Sequence, residues 1–233
     1  MSLADNLVSI QQRIRAACDR CDREPNSVTL LAVTKTHGAD SVAEATRLGL
    51  TCFGENKVQE AKTKIPNCPG KVRWHFIGHL QSNKCRDAVE LFSMIQSVDS
   101  LAIAQEINKR AEQAAKTMPV LLEINVAGEA SKFGYKPERM LGELNEINKL
   151  SRLEIHGLMA IPPFSPVAEK SRPHFRTLRE LKARAESVLG APLPVLSMGM
   201  SDDFEIAIEE GSTLIRVGTA LFGPRQKIAA RET

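Results

Sequence analysis

Residues 28–55 read "VTLLAVTKTHGADSVAEATRLGLTCFGE", and the order of patterns inside this stretch decides the fold. Residues 28–34 are a near-continuous apolar, β-branched run, the composition of a strand covered on both faces. A helical pattern follows at 39–48 and a second strand at 51–55. The first strand stops on Lys35, with Thr34 and Thr36 on either side. An ammonium group beside an apolar core is costly unless something neutralises or uses it, so Lys35 is either a surface residue at a loop mouth or a working group.

The same alternation continues to the end of the chain. Further strands are expected at 72–78, 94–98, 119–126, 155–160, 194–199 and 213–218, which makes eight. Helices are expected at 55–65, 82–92, 99–116, 137–150, 168–189 and 202–210, with an extra one over 3–23 and a short one after the last strand. Helix starts are marked by Asp99 before an Ala-rich stretch and by Ser201 followed by Asp202 and Asp203. Eight β-then-α units predict a (β/α)8 TIM barrel, near the short end of its size range. A doubly wound open sheet would show the same alternation and is the second choice. The irregular segment 161–175, "IPPFSPVAEKSRPHF", reads as a long loop after the sixth strand because the alternation resumes beyond it. One domain over 1–233, with the barrel over about 28–224 and a short tail, is therefore expected.

Composition excludes several classes of function. The 233 residues are 42% hydrophobic and 25% charged, ordinary for a soluble globular protein. Basic and acidic residues, 31 against 28, are interspersed, which gives no electrostatic footprint for nucleic acid, and one Trp and one Tyr leave few stacking platforms. The N-terminal "MSLADNLVSIQQRIRAACDR" is polar and helical in period, unlike a signal peptide, and no apolar run approaches the roughly 18 residues that span a bilayer. A cytoplasmic protein is expected. Five cysteines, at 18, 21, 52, 68 and 85, argue against a disulfide framework. Cys18 and Cys21 form a C-x-x-C, but they continue the apolar pattern Leu7, Ile10, Ile14, so they read as small apolar residues near a helix's buried face. A closed barrel has no free sheet edge, which favours a monomer.

In such a barrel, function collects at the C-terminal ends of the strands. Those ends carry Lys35, then Gly54, Glu55 and Asn56, then His75, Gly78 and His79, then Asn125, Met159, the segment Ser197 to Ser201 with Met200 in it, and finally Arg216, Gly218 and Thr219. In "LIRVGTALFG" an apolar strand meets Gly-Thr and a short helical turn, whose N–H groups and threonine hydroxyl could cradle a phosphate. Taken alone, this is an ordinary glycine turn with a threonine cap. Ser197 and Ser201 could donate from the neighbouring loop, although Asp202 and Asp203 would repel an anion there, which leaves Ser201 open to being a helix cap only. Taken alone, Lys35 is a solvated side chain. Beside an anion cradle on the adjoining last strand, and partly desolvated near Arg216, it becomes a neutral amine suited to an aldehyde that carries a phosphate.

The stretches "LLAVTKTHGAD", "FGENKVQEAKTK", "WHFIGHLQSNK", "EINVAGEASKFG", "IHGLMAI" and "LSMGMSDDFEIAIEEGSTLIRVGTALFG" resemble, in order and from about residue 5 to 224, the pyridoxal 5′-phosphate homeostasis protein family, which is related to the N-terminal barrel of alanine racemase. Thr34 and Phe133 are mild departures. The resemblance implies a fold-type III barrel holding pyridoxal 5′-phosphate as an internal aldimine on Lys35. It also implies a phosphate cradle of Ser197, Ser201, Gly218 and Thr219, with Asn56 flanking the cofactor, Arg216 facing the pyridine nitrogen, and His75 and Met200 lining the site. Racemisation needs a base on each face of the aldimine, commonly a lysine and a tyrosine from a second domain. Tyr135, the only tyrosine, falls in the loop after the fifth strand, and an arginine at the pyridine nitrogen weakens the cofactor as an electron sink. The expected function is a binding protein that buffers or delivers the cofactor, transiently meeting apo-enzymes, with a weak racemase or other amino-acid enzyme as the alternative. Lys84, Lys132 and Lys136 read as solvated loop lysines, and no second site and no metal site are assigned.

Overall fold

The apolar runs form eight strands: β1 (Thr29–Val33), β2 (Cys52–Glu55), β3 (Arg73–Phe76), β4 (Met94–Val98), β5 (Met118–Glu123), β6 (Leu153–Met159), β7 (Val195–Ser197) and β8 (Leu214–Val217). In this computed structural model, which describes residues 2–68, 70–129 and 132–223, each strand pairs in parallel with the next. β8 returns to β1 with Leu31 opposite Arg216 and Ala32 opposite Val217. This closure makes the sheet a barrel and rules out the open doubly wound alternative. The tail expected after residue 224 lies outside the described residues.

Helices α1 (Leu3–Asp19), α2 (Ala39–Arg47), α3 (Val58–Lys64), α4 (Cys85–Leu91), α5 (Leu101–Gln113), α6 (Pro137–Asn148), α7 (Arg172–Leu189), α8 (Phe204–Glu209) and α9 (Thr219–Phe222) surround the sheet. Several are shorter than periodicity predicts, for local reasons. α1 stops at Asp19 because Asp22 turns into the left-handed region at φ 54°, which breaks the pattern running to 23. α5 starts after Ser100, whose hydroxyl accepts the Ile103 N–H, so Asp99 is the residue before the cap. The helix expected from 168 opens with one 3-10 turn (Ala168–Ser171), and α7 proper begins at Arg172 with Pro173 in its first turn. β7 ends at Ser197, two residues before Gly199 takes φ 93°.

Period-two alternation sorts the strand residues into two cores. Leu31, Val33, Cys52 and Leu214 pack in one cluster inside the barrel, and Met94, Leu121 and Met159 in another. The complementary positions, among them Ala32, Phe53, Ile95, Leu122 and Ile215, meet the helices. Outside this ring, α1 packs on α8 and α9 through Leu7, Ile10, Ile14, Ala17 and Cys18, so the cysteine is on the buried face as periodicity predicts. A capping box of Ser2 and Asp5 starts α1, and Asn6 donates to the Leu221 carbonyl of α9 at 2.9 Å. Cys21 is half-buried and donates to the Ala17 carbonyl. No cluster of His, Cys, Asp or Glu among the described residues could hold a metal, and none of their helices is long and apolar enough to cross a membrane.

Candidate functional site

Lys35 is half-buried and lies two residues beyond β1. The turn from β8 into α9 reaches the same place: a Cβ added to Gly218 would stand 3.4 Å from both the Cβ and the carbonyl oxygen of Val33. The closed register of β1 and β8 thus brings the Gly218–Thr219 turn against the strand end that carries Lys35. In the first turn of α9 the Leu221 N–H donates to the Gly218 carbonyl at 2.9 Å, and Ser201 Oγ accepts the Ala220 N–H at 3.2 Å. Ser201 is therefore not the cap of α8, whose N-cap is Asp203; it belongs to the α9 turn. Asp203 is buried and occupied, accepting the Met200 N–H on Oδ1 at 2.7 Å and the Ser171 hydroxyl on Oδ2 at 2.9 Å. The two bonds hold Met200 half-buried beside the turn. Asn56 follows β2 at the same end of the barrel, and a Cβ on Gly78 would stand 2.1 Å from its carbonyl oxygen, so only glycine lets the segment after β3 lie against it.

Ser197 and His75 lie below this mouth rather than in it. Ser197, expected as an anion donor beside Ser201, is fully buried inside the barrel, and a directed chain of hydrogen bonds uses up its hydroxyl. Arg216 donates through one guanidinium nitrogen to Ser197 Oγ (2.7 Å) and the Ser197 carbonyl (2.9 Å), and through the other to the Ala160 carbonyl (2.8 Å). Ser197 donates to Gln96 Oε1 at 2.7 Å. Gln96 then donates through Nε2 to His75 Nδ1 at 2.8 Å, which leaves the imidazole hydrogen on Nε2, facing Cys52 Sγ at 3.7 Å. Burial lowers the His75 pKa to about 4, with Arg73 adding to the effect, so the ring is neutral. Burial also raises the Cys52 thiol to about 11, which leaves it unreactive. Desolvation brings Arg216 down to about 10, against the pull of Glu123 and Asp203, so it remains a cation at neutral pH.

Glu123 closes β5 beside Met159, on the inward parity of Leu121. Burial pushes its carboxyl up to about 7; Asp99 adds to the rise and Arg216 opposes it. The strand-end pattern points to neither Glu123 nor Gln96. The signal that could have found them is a lone polar residue at an inward position of a strand otherwise rich in apolar residues, "MIQSV" and "PVLLEINV". Asn125, just beyond β5, donates to the carbonyls of Glu129 and Lys132 and so shapes the following loop. Tyr135 is buried, with its hydroxyl donating to Glu143 of α6 at 3.0 Å. Of the loop lysines, Lys132 pairs with Glu129 at 3.5 Å.

Comparison with known proteins gives this arrangement a family. Residues 6–226 match the family described as alanine racemase, N-terminal domain. A pyridoxal phosphate homeostasis protein of Pseudomonas aeruginosa is 44% identical over 229 residues, 96% of each chain, and one of Aquifex aeolicus is 40% identical over 97% of this chain and 100% of its own. The chain belongs to the pyridoxal phosphate homeostasis protein family. Among solved structures, PipY of Synechococcus elongatus with pyridoxal phosphate bound is similar at a TM-score of 0.84 and 37% identity, over 95% of this chain and 100% of that one. An alanine racemase of Clostridium difficile matches at a TM-score of 0.73 with 18% identity over 96% of this chain and 58% of its own, which shows the shared barrel alone. In this homeostasis-family barrel, Lys35, Met200, Ser201, Gly218 and Thr219 gather at the strand ends of β1, β7 and β8. His75, Ser197 and Arg216 form the polar layer beneath them.

Proposed function

We propose that this protein binds pyridoxal 5′-phosphate through an internal aldimine on Lys35 and holds it for delivery to other proteins, without turning over a substrate of its own. The observation that carries this reading is the closure of the barrel, which sets the Gly218–Thr219 turn against the strand end bearing Lys35. The turn supplies N–H groups and small residues where a phosphate would need close backbone approach, with Ser201 and Thr219 hydroxyls beside them. Met200 and Asn56 would line the remaining sides, and Arg216 would present a cation, which cannot accept a proton, toward the pyridine nitrogen. The binding reported for PipY points the same way. Bound there, the cofactor supplies an aldehyde that captures amines; the protein supplies one lysine, an anion cradle and a fixed cation.

The carrier reading is supported by the state of the residues that a racemase would need. Tyr135, the only tyrosine, spends its hydroxyl on Glu143 outside the barrel, and its pKa is raised first by burial and then by that carboxylate. We place the protein in the cytoplasm as a monomer, meeting apo-enzymes only in passing. Purified protein is expected to be yellow, with a visible band that borohydride discharges and Lys35→Ala abolishes; a colourless protein that binds no added pyridoxal phosphate would end this reading. Incubation of the loaded protein with L-amino acids in heavy water separates carrier from enzyme. Spectral shifts without α-proton exchange are expected, and sustained exchange would make it an enzyme.

A further inference from the structure

Three charged residues outside the mouth converge on the peptide units that flank Lys35. Lys64, at the end of α3 with its side chain 7% exposed, donates to Glu55 Oε1 at 2.7 Å, to Glu60 Oε1 at 2.7 Å and to the Thr34 carbonyl at 2.8 Å. An ammonium has three hydrogens, and all three are used. Thr34 returns a hydrogen bond from its hydroxyl to Glu55 Oε1 at 2.5 Å, and the Thr36 N–H donates to Glu60 Oε1 at 2.7 Å. The residue before Lys35 is thus held by its carbonyl and its side chain, and the residue after it by its amide.

Thr36 needs holding, because it takes φ 69°, a left-handed conformation unfavourable for a β-branched residue that persists only where its surroundings over-determine it. The His37 N–H, donating to the Thr34 carbonyl at 2.9 Å, closes the same turn. Packing alone does not account for this cluster: a buried ion pair is commonly no better for stability than apolar side chains of the same volume, whereas it does fix one geometry among several. Three of the cluster's side-chain hydrogen bonds go to Thr34 and Thr36, and two, from Lys64 to Glu55 and Glu60, join its own members.

We infer that Glu55, Glu60 and Lys64 form a clamp that sets the direction in which Lys35 leaves the strand, which makes Glu60 and Lys64 positioning residues for covalent capture of the cofactor. The inference rests on the role given to Lys35 above. Capture joins Lys35 Nζ to the aldehyde carbon and releases the aldehyde oxygen as water with the two hydrogens of the neutral amine. Its rate depends on the angle at which the amine arrives, whereas retention of the phosphate depends on the α9 turn.

Glu60→Ala is the main test, since its side chain is 25% exposed and the change leaves the Lys64–Glu55 pair in place. Lys64→Met is a stronger test, but it leaves Glu55 buried without its partner and could unfold the chain. In cofactor-free Glu60→Ala, Thr36 amide exchange should accelerate about tenfold, the loss of one hydrogen bond to a charged group, while the amides of β5 and β6 keep their protection. Borohydride trapping followed by peptide mass should show Lys35 capture slowed by a similar factor. Affinity for pyridoxine 5′-phosphate, which carries an alcohol in place of the aldehyde, should be unchanged. Glu60→Gln, which keeps an acceptor, should recover part of both losses. Wild-type rates of exchange and capture in Glu60→Ala would overturn the clamp, and so would a parallel loss of pyridoxine phosphate affinity, which would mean a general collapse of the mouth. A wild-type protein that captures nothing on Lys35 would instead overturn the reading of the site, and the two failures are distinguishable in one set of samples.

Discussion

Glu123 and His75 are buried in one barrel, and burial moves their pKa values in opposite directions, so their contributions to the pH dependence of stability oppose each other. Burial raises the Glu123 carboxyl from 4.5 to about 7, so the folded state keeps a proton that the unfolded chain loses. Its contribution is full below pH about 4.5 and is lost as pH rises to about 7. Burial lowers His75 from 6.5 to about 4, so here the unfolded chain holds the extra proton and stability rises across that interval. The two slopes oppose each other between pH 4.5 and 6.5, and only the Glu123 effect continues to pH 7. Glu123→Gln, which stays neutral, should raise the urea midpoint at pH 8 by an amount worth on the order of 3 kcal/mol at most, and change it little at pH 4.5. Equal gains at both pH values would mean that packing, not ionisation, limits stability there. Strand ends alone point to His75 and Ser197 as mouth residues; that both belong to a chain running through Gln96 depends on contacts across the barrel, between β7 and β4, which no local pattern encodes.

At the scale of elements, the helices and strands were legible in the sequence because apolar periodicity reports burial directly, while their ends were not. The ends depend on single backbone conformations, such as the left-handed Asp22 after α1 or Gly199 after β7, which cost little sequence signal. α1 is the clearest case of an element whose existence was legible and whose purpose was not. It lies outside the β-α alternation, yet its apolar stripe covers α8 and α9, and Asn6 ties it to the Leu221 carbonyl. α9 carries the candidate phosphate turn, so α1 supports the site from behind. Ile10, 1% exposed, sits in that stripe. Ile10→Ala should destabilise the protein by about 2–5 kcal/mol, the range for truncating a large buried aliphatic side chain. Because α1 packs on α9, the truncation should loosen the turn and weaken binding, measured as a smaller rise in the urea midpoint with pyridoxal phosphate at equal concentration than in wild type. An equal rise in both proteins would show that α1 and the turn are not coupled.

For the whole molecule, the count of eight apolar runs predicts the barrel, and closure decides the site, because only pairing of β8 with β1 brings residues from opposite ends of the chain to one mouth. A ligand held between Lys35 and the Gly218–Thr219 turn therefore bridges the first and last strands, and it should stabilise the closed barrel against global unfolding. At a free concentration of one hundred times Kd, a ligand that binds only the folded state contributes about 2.7 kcal/mol. For a chain of this size each kcal/mol moves Tm by about 2–4 °C, so pyridoxal phosphate should raise Tm by about 5–11 °C. Pyridoxine 5′-phosphate, held by the turn without the lysine, should give a smaller shift at equal concentration. Lys35→Ala should reduce the pyridoxal phosphate shift to that smaller value and leave the alcohol's shift unchanged. Unfolded chains also expose lysines that react with aldehydes, which trims the pyridoxal phosphate shift and makes the alcohol the cleaner measure of the cradle. If pyridoxine phosphate gave no shift while pyridoxal phosphate shifted wild type and Lys35→Ala equally, the cofactor would be held elsewhere than between the two strands.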